Sequence, residues 1–149
     1  MPEPPRTPEE RKRDVVGTLE SEVDGWLASA SEHGDAYLIP ISFYWDGQSL
    51  LLATPESSLT VRNLRRAGVA RLGIGPTRDV VIIDGAVEFI DAGAIDPALA
   101  ERYAEETGWD PRTDGRNVFF RIVPRTIQAW REANELAGRH VMKDGRWLV

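Results

Sequence analysis

The spacing of apolar residues along the chain predicts three helices. Val15 and Leu19 recur at the interval that places side chains on one helical face. Thr7 is a suitable N-cap and Pro8 suits the first helical position, whereas the other early prolines predict a flexible tail over residues 1–8. The predicted helices cover residues 8–25, 55–68 and 96–107.

The segments between these helices are rich in β-branched and aromatic residues, which is typical of strands. Asp46-Gly47 and Asp144-Gly145 predict hairpin turns. Pro40 predicts an edge or a bulge, Asp84-Gly85 predicts a bulge, and Pro124 is expected to end its strand. The predicted strands cover residues 26–31, 36–45, 49–54, 69–74, 79–90, 118–123 and 127–130, with a last hairpin in 141–149.

Hairpin signals outnumber crossover signals, so the element order predicts an α+β fold built on a small, mostly antiparallel barrel. The length of 149 residues fits one domain, and we assign residues 9–149 to it. The net charge of −6 opposes nucleic-acid binding, which needs clustered cations. The chain lacks cysteine and any apolar run of the roughly 20 residues that a membrane helix needs. We therefore expect a cytoplasmic protein with no membrane partner.

Known catalytic and metal-binding motifs do not match this chain. His33 and His140 lack metal-ligand spacing, so no metal site is predicted. Gly73-Ile74-Gly75 begins like a dinucleotide fingerprint, but a strand follows it where that fingerprint needs a helix. The carboxylates lie mainly on predicted helix faces, where solvation is the simpler interpretation.

A candidate anion-binding site lies at the start of the second predicted helix. Ser57, Ser58, Thr60 and Arg62 gather where free backbone N–H groups and the helix dipole favour an anion. A capped amphipathic helix with a solvated basic face explains the same residues, and both interpretations stay open. Trp130 follows a strand and precedes a polar segment, so it could stack on a planar ring or pack ordinarily.

The run from Trp26 to Gly85 resembles the pyridoxamine-5′-phosphate-oxidase-like superfamily of split β-barrels. The segments that carry the resemblance are Trp26-Leu27-Ala28-Ser29-Ala30, Pro40-Ile41-Ser42-Phe43-Tyr44-Trp45-Asp46-Gly47, Leu52-Ala53-Thr54, Arg62-Asn63-Leu64 and Asp79-Val80-Val81-Ile82-Ile83-Asp84-Gly85. The short length and Arg62-Asn63-Leu64 are similar to the flavin/deazaflavin oxidoreductase branch. The usage of Ala, Arg and Gly is similar to that of actinobacterial proteins.

This resemblance implies a six- to seven-stranded, mostly antiparallel split β-barrel with flanking helices, and a homodimer with its cofactor in a groove at the interface. The implied cofactor is coenzyme F-420, with FMN as the alternative. The residues implied to line the ring and its chain are Ser42, Phe43, Tyr44, Ala53 and Thr54, and those implied to hold the phosphate are Ser57, Ser58, Thr60 and Arg62. Arg78 and Trp130 complete the candidate set, and Tyr44 and Arg78 are the candidate proton donors.

One position departs from the family pattern, because Thr60 stands where many members carry Lys. The cations that could substitute are Arg65, Arg66, Arg71 and Arg78. The chain also lacks the C-terminal arginine-bearing signature of pyridoxamine-phosphate oxidase itself, so that activity is not expected.

The resemblance implies an F-420-dependent reductase that transfers a hydride to an activated double bond of a small organic substrate. The cofactor would carry the chemistry, which explains why the sequence shows no triad and no metal motif. An FMN-dependent oxidase or reductase and a non-catalytic cofactor-binding protein are the alternatives.

Overall fold

The computed structural model describes residues 3–91 and 93–149. Its helices are α1 (Pro8–Ser21), α2 (Leu59–Ala67) and α3 (Pro97–Thr107). Its strands are β1 (Asp24–Ala30), β2 (Ala36–Trp45), β3 (Leu50–Pro55), β4 (Val69–Ile74), β5 (Val80–Ile90), β6 (Asn117–Trp130), β7 (His140–Lys143) and β8 (Arg146–Trp147). A 3₁₀ turn covers Ala133–Glu135.

Six strands close into an antiparallel barrel, which confirms the predicted α+β split barrel. The strand order is β3-β2-β1-β4-β5-β6, and β6 pairs again with β3 to complete the circle. The β7–β8 hairpin extends the sheet beyond β6. Every pairing is antiparallel.

Each helix begins at a residue that caps it. The Thr7 hydroxyl accepts from the backbone of Glu10, whose carboxylate accepts in return from the Thr7 N–H. Ser58 and Asp96 cap α2 and α3 with their side chains, which accept from the backbone N–H groups of Val61 and Ala98. The prediction that α1 reaches Gly25 is wrong, because Asp24 already pairs with Ser42 in the sheet.

The prediction that Pro124 ends its strand is also wrong. β6 continues to Trp130 because the register shifts between Asp84 and Gly85, which confirms the predicted bulge. Gly85 stands opposite Pro124, and a Cβ on Gly85 would lie 2.3 Å from the Val123 carbonyl oxygen. A residue without a side chain therefore lets the two strands pass.

The main core fills the barrel, and a smaller apolar cluster lies between the barrel wall and α3. Leu51, Ala53 and Phe119 form the wall side of this cluster, and α3 contributes Ala100 and Tyr103. α3 is therefore fixed over β2 and β3, where the candidate site lies. No helix among residues 3–91 and 93–149 has the length and apolar character needed to cross a membrane.

Of the predicted tail, residues 1–2 lie outside the described residues. Residues that follow contact the body of the protein: the Glu3 carbonyl oxygen accepts from Asn134, and Arg6 pairs with Glu135. That the tail is flexible stays a prediction.

Candidate functional site

The strands β2 and β3 pair next to their hairpin and then separate, over half of β3 and more than half of β2. Their pairing covers Phe43–Trp45 of β2 and Leu50–Leu52 of β3. Beyond these pairs β3 continues against β6, while β2 continues against β1. A cleft of about 380 Å³ opens where the two strands separate. This β2–β3 cleft is lined by Asp24, Ile39, Pro40, Ile41, Ser42, Ala53, Thr54, Pro55 and Trp109.

The walls of the β2–β3 cleft are mainly apolar, with a few polar groups at fixed positions. Ser42 Oγ donates to Asp24 Oδ1 at 2.7 Å, so the hydroxyl is oriented by the carboxylate. Of the residues that the structure describes around this cleft, Asp24 is the one with a charged side chain at neutral pH. Apolar walls with a small number of oriented polar groups are typical of a site for a planar organic ligand.

Tyr103 of α3 places a buried hydroxyl behind the wall of this cleft, against the backbone of Ser42. The side chain is fully buried, and its Oη lies 3.4 Å from the Ser42 carbonyl oxygen. Burial, and then the negative charge of Asp24, raise the pKa of Tyr103 above its ordinary value. The phenol therefore remains a neutral donor throughout the physiological pH range. Trp109 packs edge-on against the Tyr103 ring with a centroid distance of 6.4 Å.

The start of α2 adjoins the same cleft. Thr54 and Pro55 line the cleft, and the chain turns into α2 with the Ser58 N–H donating to the Pro55 carbonyl oxygen. Ser58 Oγ accepts from the Val61 N–H, which leaves other N–H groups of the first turn for an anion. Arg62 is exposed in the next turn.

The predicted phosphate residues differ in how they face solvent. Ser57 and Arg62 are exposed and Ser58 is half-buried, whereas Thr60 is 1% exposed. The side chain at Thr60 therefore packs against the protein, and a phosphate on the surface of the helix start would meet the other three residues.

The arginines that could replace the family's Lys have other partners. Arg65 pairs with Glu56 at 2.8 Å and lies 4.1 Å from the centroid of the Phe89 ring. Arg66 donates to the Ala30 carbonyl oxygen, and Arg71 pairs with Asp84. For Arg62, no side-chain hydrogen bond or ion pair is found within the described part of the chain. Arg62 is therefore the cation of α2 that is available to a ligand.

A second cleft, of about 540 Å³, lies on the outer face of the barrel between α2 and β6. Its lining includes Arg66, Arg71 and Arg125, together with Asp84 and small apolar residues. We call it the arginine cleft. It contains Arg66 and Arg71, two of the cations named as substitutes for the family's Lys, but none of the residues implied to line the ring or to hold the phosphate.

The β2–β3 cleft brings together three of the predicted site residues, namely Ser42, Ala53 and Thr54. Phe43 lies in the barrel core and is 1% exposed, so a ligand would contact it through its backbone. Tyr44 lies in a neighbouring depression under α3, where it contacts Arg102 and raises the pKa of that guanidinium.

Two further predicted residues lie at the far end of the barrel. Trp130 pairs with Val80 at the end of β6 opposite to Asn117, whereas Asn117 pairs with Pro55 beside α2. Arg78 pairs with Glu132 at 2.8 Å near that far end. Within one chain, Arg78 and Trp130 are therefore separated from the β2–β3 cleft by the length of β6.

Comparison with known proteins places this geometry in a family. The family model for pyridoxamine 5′-phosphate oxidase matches residues 13–131, which include the β2–β3 cleft and all of α2. This chain belongs to the pyridoxamine 5′-phosphate oxidase family. No curated protein matches it.

Solved structures share the fold with this family member at low sequence identity. An F420 reductase is 18% identical with a TM-score of 0.62, and the match covers 74% of this chain and 93% of that protein. General stress protein 26 of Bacillus anthracis is 16% identical with a TM-score of 0.66, and the match covers 80% of this chain and 92% of that protein. An FMN-binding protein of Nostoc punctiforme, related to pyridoxamine 5′-phosphate oxidase, is 14% identical with a TM-score of 0.56. The match covers 82% of this chain and 78% of that protein.

Three residues of the site in this family member were not singled out from its sequence. The sequence predicts Asp24 at the end of a helix and Trp109 at the start of a polar loop. Tyr103 lies in a helix whose neighbouring side chains are mostly acidic. A signal was present for Trp109, since Gly108 is the left-handed residue that ends α3 and an aromatic residue directly after it is turned back onto the protein.

Proposed function

We propose that this chain binds coenzyme F-420 in the β2–β3 cleft and acts as an oxidoreductase on a small organic substrate. The observation that carries the proposal is the parting of β2 and β3 directly beside the start of α2. A planar ring and an attached phosphate need an apolar slot next to an anion site. Both features are adjacent in this chain.

The residues present fit such a cofactor. Pro40 and Trp109 offer flat apolar contacts for a ring, and Ser42 and Thr54 offer polar contacts to its edge. Ser57, Ser58 and Arg62 would hold the phosphate with the first N–H groups of α2. The carboxylate of Asp24 disfavours a phosphate in the cleft itself. The phosphate is therefore expected at α2 and the ring between the strands.

The role of the protein is to hold and orient the ring. When bound and reduced, the deazaflavin supplies a hydride for an activated double bond. The Asp24–Ser42 pair fixes one wall, and Trp109 covers one side of the cleft. Tyr44 and Arg78, our candidate proton donors, lie outside the cleft in a single chain, so proton transfer by either would need a second copy of the chain or a water molecule.

Both candidate cofactors, F-420 and FMN, have a protein of similar structure to support them. The F420 reductase matches over 93% of its own length, which favours the deazaflavin. The FMN-binding protein of Nostoc punctiforme has the same fold, which keeps FMN as the second candidate. The same site without a substrate pocket would serve a non-catalytic cofactor-binding protein.

The test is a pair of titrations of the purified apo-protein, with coenzyme F-420 and with FMN, followed by fluorescence polarisation. We expect saturable binding of F-420 in preference to FMN. The variant Ser42→Phe places a ring inside the β2–β3 cleft and should abolish binding. Thr126→Phe places the same bulk at the arginine cleft and should leave binding unchanged. Equal loss in both variants, or no binding by the natural chain, would contradict the proposal.

A further inference from the structure

The register of β2 and β3 shows where an expected backbone pair is missing. Phe43 pairs with Leu52, so Ser42 and Ala53 would form the next pair if the ladder continued. The Phe43 N–H donates to the Val23 carbonyl oxygen at 2.8 Å, on the side of β1. Because neighbouring residues of a strand direct their backbone groups to opposite sides, the backbone groups of Ser42 face β3.

The hydroxyl of Tyr103 occupies the place between these two residues. It donates to the Ser42 carbonyl oxygen at 3.4 Å. The register directs the Ala53 N–H toward β2, on the side where this hydroxyl lies. Interaction of the phenol oxygen with the Ala53 backbone opposes part of the rise in the pKa of Tyr103. One side-chain group therefore stands between the carbonyl and the N–H that a continued ladder would have joined directly.

The packing around Tyr103 fixes this hydroxyl in place. The ring meets Phe119 edge-on with a centroid distance of 5.8 Å and lies in the cluster that anchors α3 to the barrel. The side chain is fully buried, so the hydroxyl has to find its partners within the protein. A phenylalanine would fill the same apolar space, which makes the hydroxyl the feature that needs a separate explanation.

We propose that the Tyr103 hydroxyl is the spacer that holds β2 and β3 apart at the inner end of the β2–β3 cleft, and that Tyr103 is thereby a positioning residue for the ring of the cofactor. The hydroxyl donates to the Ser42 carbonyl oxygen of β2 and lies next to the Ala53 backbone of β3, so it stands where the two strands would otherwise meet. The positioning role rests on the proposed function, since it requires a cofactor ring between the two strands. The spacer role concerns the chain alone.

The first experiment measures hydrogen exchange of backbone amides in the apo-protein, comparing the natural chain with Tyr103→Phe. We expect the amide of Ala53 to exchange about fivefold faster in the variant, because it loses one hydrogen-bond partner. Core amides of β4, such as that of Leu72, should keep their rates. An unchanged rate at Ala53 would overturn the spacer, and so would equal acceleration throughout the core, which signals general destabilisation.

The second experiment measures the affinity of both chains for coenzyme F-420 and for FMN. Tyr103→Phe should weaken binding of the preferred cofactor by about fivefold, again the effect of one hydrogen bond. Tyr37→Phe, which removes an exposed hydroxyl near the other end of β2, should change neither affinity nor exchange. Unchanged affinity in Tyr103→Phe would overturn the positioning role.

The two experiments separate failure of this inference from failure of the proposed function. If the natural chain binds neither cofactor, the proposed function is wrong and the positioning role falls with it. The exchange rate at Ala53 then still decides whether the hydroxyl holds the strands apart.

Discussion

Arg62 is the residue on which binding of an anion depends most. Its neighbours Arg65 and Arg66 are engaged by Glu56 and by the Ala30 carbonyl oxygen, and Thr60, which stands at the position of the family's Lys, is buried. A single guanidinium next to the first turn of α2 therefore has to supply the positive charge. Charged hydrogen bonds of this kind contribute about 1.5–3 kcal/mol.

Substitution of this residue tests the phosphate site directly. Arg62→Ala should weaken binding of coenzyme F-420 by roughly 10- to 150-fold, which corresponds to about 1.5–3 kcal/mol. The measurement is a polarisation titration of the variant and the natural chain at the same ionic strength. Arg146→Ala removes an exposed arginine of β8 and serves as the matched control. An unchanged dissociation constant in Arg62→Ala would remove this residue from the site.

The helix α1 is fastened to the barrel by a cluster of buried charges. Arg6 donates to both carboxylate oxygens of Glu135, at 2.8 Å and 3.0 Å. The buried Arg11 donates through one nitrogen to the carbonyl oxygens of Ala129, Glu135 and Gly138. These contacts join the start of α1 to β6 and to the 3₁₀ turn that follows it, so they fix the end of the barrel remote from α2.

This cluster makes a prediction about stability and pH. Hydrogen bonds from Arg6 lower the pKa of Glu135 from 4.5 to about 2. A carboxyl group with a lowered folded-state pKa stabilises the protein above its unfolded pKa, and that contribution is lost as the pH falls through the folded value. Glu135→Gln should reduce the free energy of unfolding by about 3 kcal/mol at pH 7, with much less effect near pH 2.5.

The measurement is urea unfolding of the natural chain and of Glu135→Gln between pH 7 and about pH 2.5. The difference between the two chains should narrow as the pH falls from about 4.5 toward about 2, since the natural chain then loses the ion pair. A difference that stays constant with pH would show that Glu135 contributes through packing and not through its charge.

The elements with strong local signals could be predicted from the sequence. β4 begins and ends where expected, Thr7, Ser58 and Asp96 cap their helices, and Gly68 ends α2 in the left-handed conformation. β6 could not be predicted in full, because Pro124 is a local signal for an end. The bulge opposite Gly85 that accommodates it depends on a strand far away in the sequence.

The candidate site was only partly predictable for a similar reason. Ser42, Ala53 and Thr54 lie on two strands joined by a hairpin, so their proximity follows from local pairing. Trp109 lines the cleft, and Tyr103 contacts its wall at Ser42, because α3 packs across β2 and β3. That packing is a tertiary contact without a local sequence pattern. Thr60, which the resemblance implied to hold the phosphate, lies on the packed face of α2.

The outer surface of the barrel carries an apolar face that extends across four strands. In register, Pro40 of β2 pairs with Trp26 of β1, Trp26 with Gly73 of β4, and Gly73 with Ile82 of β5. Trp26 is 55% exposed, and Leu38 beside it is 59% exposed. A contiguous exposed face of this kind is typical of a protein interface. Pro40 also lines the β2–β3 cleft, so a copy of the chain on this face would reach the edge of the site.

We therefore predict a homodimer that covers Trp26 and Leu38. Sedimentation at micromolar concentration should give a dimer for the natural chain. Trp26→Glu should give a monomer, because a charge in the centre of an apolar interface is left unpaired. Leu148→Glu alters another exposed apolar residue, near the C-terminus, and should remain dimeric. A monomeric natural chain would contradict this prediction.

The measurement that tests the central proposal most directly maps where the cofactor binds. Backbone amide chemical shifts would be recorded by NMR on the apo-protein while coenzyme F-420 is added. We expect the largest changes at Ser42, Thr54 and Ser58, where the cleft adjoins the start of α2. Changes centred on Arg71 and Arg125 in the arginine cleft, or no changes at saturating cofactor, would contradict the site and the function that we derive from it.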